Sequence, residues 1–183
     1  MKTLALLLTT VFAFASPASA HHFDYLDEDH KYLLHAVSDR GVELIVNDST
    51  LCTGSSDGFY SSDRRLIVCQ DGMVEPGVEV EWTLNDLDTI RHESHHFLQD
   101  CAFGGSKIDH MSTVFFTDTE KYTDFVLNSG LTRSEIDSIE TAYRKLGLNF
   151  LGIMMEIEAF AVARSVPPRQ LADKIKEVCV IGR

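Results

Sequence analysis

Residues 91–101 read RHESHHFLQDC, and within them His92-Glu93-Ser94-His95-His96 has the spacing H-E-x-x-H. Residues four apart on a helix lie about one turn apart on one face, so His92 and His96 can offer two imidazoles to a single metal ion. A glutamate beside the first histidine can take a proton from water activated by that ion. At ~100° per residue, His92 and His96 fall within about 40° of each other, with Glu93 some 60° beyond His96. Leu87, Ile90, Phe97, Leu98 and Cys101 gather roughly 140° to 240° from His92, which separates a core face from a polar face. One accidental H-E-x-x-H is expected in roughly two chains per hundred of this His and Glu content, so the motif needs support from elsewhere.

His95 falls on the other side of His92 and reads as a cleft neighbour or a surface histidine rather than a ligand. Glu93-Ser94-His95-His96 also has the E-x-x-H spacing of di-iron bundles. Those need a second such motif on long helices, whereas this chain has no second E-x-x-H and a strand-like front half.

A catalytic zinc takes three protein ligands and leaves one position open, so a third ligand is required from a second helix. Met154-Met155-Glu156-Ile157-Glu158-Ala159-Phe160-Ala161 sets two carboxylates in an otherwise apolar helix. Buried carboxylates are costly unless paired or metal-bound, and Arg164 is the nearest base that could pair with one of them. Glu156 and Glu158 lie roughly 160° apart on the wheel, so only one can reach a given ion. Gly152, Ala159 and Ala163 surround Glu156 and admit a close neighbour. Leu151, Met154, Met155 and Val162 surround Glu158. This favours Glu156 and leaves Glu158 as the alternative.

With these two helices the chain resembles the zincin metallopeptidases of the gluzincin type, in which a helix downstream of H-E-x-x-H donates a glutamate. Glu156-Ile157-Glu158-Ala159 looks like their E-x-x-A element, although Phe160 stands where many of them carry Asp or Asn. The resemblance implies Zn²⁺ held by His92, His96 and Glu156, with Glu93 as general base, and a peptide or protein as substrate. It also implies a strand bordering the cleft, for which GFYSSDRRLIVC is in position, and an oxyanion donor. Tyr60, His110, Tyr122 and Tyr143 are available for that last role.

Several elements must position these residues. Asp27–Ser38 reads as a helix opened by acids and followed by Gly41. GVELIVNDS (41–49) reads as a strand, and GFY with RRLIVC as the arms of a hairpin. Thr83 onward is helical. The segment 84–101 carries the motif and stops near Phe103-Gly104-Gly105, 119–128 forms a short helix, and Thr132 to Glu135 is a capping box for a helix ending near Gly147. LNFLGIMMEIEAFAVARS (148–165) is an apolar helix ended by Pro167-Pro168, and RQLADKIKEV closes the chain. The expected fold is α+β and zincin-like: a small N-terminal antiparallel sheet, then a mostly helical half.

Residues 1–20 have the marks of a cleavable signal peptide: Lys2, the apolar run Leu4–Phe14, and Ala18-Ser19-Ala20 before the cut. The expectation is one secreted or periplasmic domain over 21–183, a length able to bury a core. Losing Lys2 takes the formal charge from −12 to −13, which argues against nucleic-acid or anionic-membrane partners. Four cysteines in an exported chain read as disulfides, with Cys52–Cys69 and Cys101–Cys179 favoured. Two rival readings are a catalytically inactive zinc-binding domain that acts as a binding protein, and copper bound at a new N-terminal His21. The second suits β-sandwiches rather than a chain that turns helical after residue 83.

Overall fold

The computed structural model describes residues 23, 25–53, 57–103 and 118–180. The signal peptide, His21, the Gly104-Gly105 stop and His110 lie outside the described residues. The elements run α1 (Glu28–Ser38), β1 (Glu43–Val46), β2 (Gly58–Ser61), β3 (Arg65–Val68), α2 (Leu84–Ala102), α3 (Thr119–Asn128), α4 (Arg133–Lys145), α5 (Phe150–Ser165) and α6 (Pro168–Val178). The architecture is α+β, with a three-stranded sheet near the N-terminus and a mostly helical region after it.

Five of the six described helices begin where a side chain satisfies their first amides. The Asp27 carboxylate accepts from the Asp29 and His30 N–H groups at the start of α1. Thr83 and Asp86 cap each other reciprocally at α2, and Thr132 and Glu135 do so at α4. Beyond α4, Gly147 takes φ +88°, a left-handed conformation that a side chain would strain. The two prolines after α5 end it as the sequence suggests, since Val166, the residue before Pro167, is extended at ψ 122°. α5 stops at Ser165, and Pro168 is already the first residue of α6, where its missing N–H is not needed.

The sheet corrects the expectation of an antiparallel one. β2 and β3 form the expected hairpin, but β1 lies parallel to β3, and the order is β1-β3-β2. The cause lies at the end of β1. Asn47 adopts φ 56°, and its amide donates to Gln70 Oε1 and the Val78 carbonyl while its Oδ1 accepts from the Gln70 N–H. The chain is thereby turned out of the sheet before it can fold back on β1. It returns as the far edge strand, and β3 fills the middle.

α2 is the central element, packed against β2, β3, α1, α5 and α6. Its Ile90, Phe97 and Leu98 join Leu33 and Val37 of α1, Leu66 of β3, and Leu171 and Ile175 of α6 in the main core. A second apolar cluster joins Tyr122 and Val126 of α3 to Ile153, Ile157 and Ala161 of α5. The polar face of α2 is also covered: Ser94, His95 and Gln99 are fully buried. Cys52–Cys69 holds the β1–β2 connection to the end of β3, and Cys101–Cys179 ties the last turn of α2 to the end of α6. Both pairings are the expected ones and suit an oxidising compartment. Among the described residues no helix is long and apolar enough to cross a membrane.

Gly58 is where β2 meets α2. A Cβ there would lie 2.5 Å from the Ile67 carbonyl oxygen and 2.7 Å from Thr89 Cγ2, and the first of these is backbone that cannot yield. Gly58→Ala is therefore expected to destabilise the protein by about 1–3 kcal/mol, read as a lowered denaturant midpoint.

Candidate metal centre

His92 and His96 stand one turn apart on α2, and Glu156 projects toward them from α5. The two Nε2 atoms are 3.0 Å apart, and each lies 3.4 Å from Glu156 Oε2. Ligands about 2.0–2.1 Å from a tetrahedral zinc stand roughly 3.3 Å from one another, so the observed triangle fits one such ion. Two imidazole nitrogens and one carboxylate oxygen are also a donor set zinc accepts. Among the described residues, this is the group of three or more His, Cys, Asp or Glu side chains that could hold a metal ion. Glu158, the alternative, points elsewhere.

The three side chains also hold one another. Burial alone would raise the Glu156 carboxyl, but hydrogen bonds and charge from His92 and His96 keep it far below the usual carboxylate range. Burial would likewise lower His96. Its hydrogen bond to Glu156, the charges of Glu93 and Glu156, and a bond to Gln99 instead push it up to about 9.

The glutamate of the motif, Glu93, is 7 % exposed. Its Oε2 accepts a 2.7 Å hydrogen bond from the backbone N–H of Tyr60 on β2. The strand expected to border the site thus also orients Glu93. His92 and Glu93 reach the lining of a cleft of about 710 Å³. β2 and the first turns of α2 contribute Gly58, Asn85 and Thr89 to it, while α4, its C-cap residue and α5 contribute Tyr143, Leu146 and Phe160.

No family model, curated protein or solved structure matches the chain. Function has therefore to be argued from the site itself.

Of the four oxyanion candidates, Tyr143 alone among the described residues lines this cleft. Burial, then the charge and hydrogen bonding of Glu156 and the charge of Glu93, raise its phenol, so it stays a neutral donor. The Tyr60 hydroxyl is engaged by Asp100 Oδ2 at 2.8 Å, and that of Tyr122 donates to the Met154 carbonyl at 2.8 Å.

Two further positions were not evident from the sequence pattern. His95 is no surface residue: it is fully buried, with Nε2 2.9 Å from Glu158 Oε2. Burial outweighs the pull of Glu158 and lowers its pKa, so a neutral imidazole donates to a carboxylate. Gln99 is the second. Its Oε1 lies 2.8 Å from His96 Nδ1, and its Nε2 donates to Glu158 Oε2 and the Met155 carbonyl. A glutamine about 20° from His92 on the wheel, three residues after a candidate ligand, was the available signal. Arg164 does not pair with either acid of α5; it binds Glu135 at 3.1 Å.

The His96 pairing has a pH signature. Its value in the folded chain lies above the ordinary 6.5, so the fold favours the protonated ring. That stabilisation is complete below pH 6.5 and is lost as pH rises through about 9. Thermal melts of chelator-stripped protein are expected to show a falling Tm across this window, and His96→Ala is expected to flatten the trend.

Proposed function

We propose that the chain is a secreted zinc-dependent peptidase with a zincin-like domain over residues 21–183. One observation carries this reading: a buried His92–His96–Glu156 triangle of metal-sized spacing beside an open cleft that Glu93 and Tyr143 also line. The likeness of the two motif helices to those of gluzincins gives the same answer from the sequence.

When bound to His92, His96 and Glu156, the ion supplies a Lewis acid that brings water toward ionisation at neutral pH and polarises a carbonyl. The remaining chemistry belongs to the chain. Glu93 Oε2 is held by the Tyr60 N–H, which leaves Oε1 to take a proton from water and pass it to the departing amine. The Tyr143 phenol donates a hydrogen bond to the carbonyl oxygen as negative charge gathers on it. Phe160, whose ring centroid lies 4.4 Å from that of His92, covers the first histidine from the side of α5.

The test uses purified mature protein, its zinc stoichiometry and a mixed peptide library. One zinc per chain and cleavage of peptides are expected. Glu93→Gln should keep the zinc and lose about 10²–10⁴-fold in turnover, whereas Glu156→Ala should lose the zinc. Tyr143→Phe should keep the zinc and lower kcat by about 10²–10³-fold. Zinc held without turnover in the wild type would make the chain a binding domain instead, and absence of zinc would sink both readings.

A further inference from the structure

His96 is held from behind by a chain of buried polar groups. Gln99, His95 and Glu158 are each fully buried, so water cannot rearrange their bonding. The Gln99 amide N–H₂ faces two acceptors: Glu158 Oε2 at 2.9 Å and the Met155 carbonyl at 3.2 Å. Turning the amide over would set its oxygen against both of them. The oxygen is therefore committed to the opposite side, where it meets His96 Nδ1 at 2.8 Å.

An amide oxygen can only accept, so His96 Nδ1 must carry a proton. Its Nε2 lone pair is then the one available on the side where His92 and Glu156 converge. Glu158 is itself fixed by His95, which donates from Nε2 at 2.9 Å. The two histidines are held unequally: His92 Nδ1 is buried with no hydrogen-bond partner, and Phe160 packs against that ring.

We infer that Gln99, clamped by Glu158 and the Met155 carbonyl and backed by His95, is a positioning residue that fixes the proton and the ring plane of His96 so that Nε2 faces a metal ion. This rests on the metal-centre reading above. It gives the second acid of α5 and the middle histidine of the motif a role, although neither touches the ion.

The experiment compares zinc affinity in the full mature chain, by competition with a chromogenic chelator, for the wild type, Gln99→Met and Glu158→Gln. Histidine-¹⁵N spectra of the zinc-loaded proteins report whether His96 Nδ1 keeps a slowly exchanging, hydrogen-bonded proton. Methionine keeps the volume but cannot accept that proton. Gln99→Met is expected to weaken zinc by about 10–100-fold and to lose the proton signal. Glu158→Gln keeps an oxygen that can accept from both Gln99 and His95, so the clamp survives. Its affinity should stay within about threefold of wild type, with the signal retained.

A merely structural role would lower stability without moving the Nδ1 signal. Unchanged affinity and signal in Gln99→Met would overturn the inference. If that variant does not fold, the wild-type spectrum decides alone: a His96 Nδ1 proton that exchanges more slowly than that of His92, which has no acceptor, supports the inference, and equal or faster exchange overturns it. Absence of zinc from the wild type would instead remove the metal centre on which the inference rests.

Discussion

The contact between α2 and α5 is the constraint on which the site depends. Ala159 is fully buried, and with no larger side chain at that position the helices approach closely enough for Gln99 to reach the backbone of Met155. Glu156 and Glu158, roughly 160° apart on the wheel, flank this contact on opposite sides. A buried carboxylate is tolerated only with partners, and α2 supplies both sets. His92 and His96 meet Glu156; His95 and Gln99 meet Glu158. Rotation or sliding of either helix would leave at least one acid without its donors. The polar side chains therefore fix the register of the helix pair, a task that apolar packing alone does loosely.

On its other side α2 meets the sheet. β2 approaches closely at Gly58 and lends the Tyr60 N–H to Glu93. Glu93 and the His92–His96–Glu156 triangle are thus set by two different neighbours of one helix. That division lets α2 present His92 and Glu93 to the same cleft while its apolar stripe stays in the core. The disulfide from Cys101 to Cys179 then anchors the end of α2 beyond the site.

Much of this was legible in the sequence where the cause is local. The capping box at Thr132 announced α4, because a capping side chain and its target amide lie within three residues, and the acids after Asp27 marked the start of α1. The triangle was legible because its geometry follows from helical spacing, and because small residues around Glu156 mark where another helix can come near. The parallel pairing of β1 was not, since it depends on Asn47 reaching Gln70 and Val78. His95 and Gln99 were hidden for a similar reason. Periodicity assigns both to a polar face, and only the arrival of α5 turns that face into interior, with partners 63 and 59 residues away.

Phe160 marks the departure from the family pattern that the chain resembles, and its surroundings give that departure a physical sense. A polar residue there could accept from a histidine ring, yet His92 Nδ1 has no hydrogen-bond partner and meets an aromatic edge. The same ring lies 6.4 Å from that of Tyr143 and lines the cleft. An aromatic at this position gives up a directional bond to His92 and sets an apolar wall beside it. Directional control is retained on the opposite flank, at His96, behind which Gln99 and Glu158 are sealed from solvent. One histidine is steered by hydrogen bonds and the other by shape, and the side steered by shape is the side that opens to the cleft.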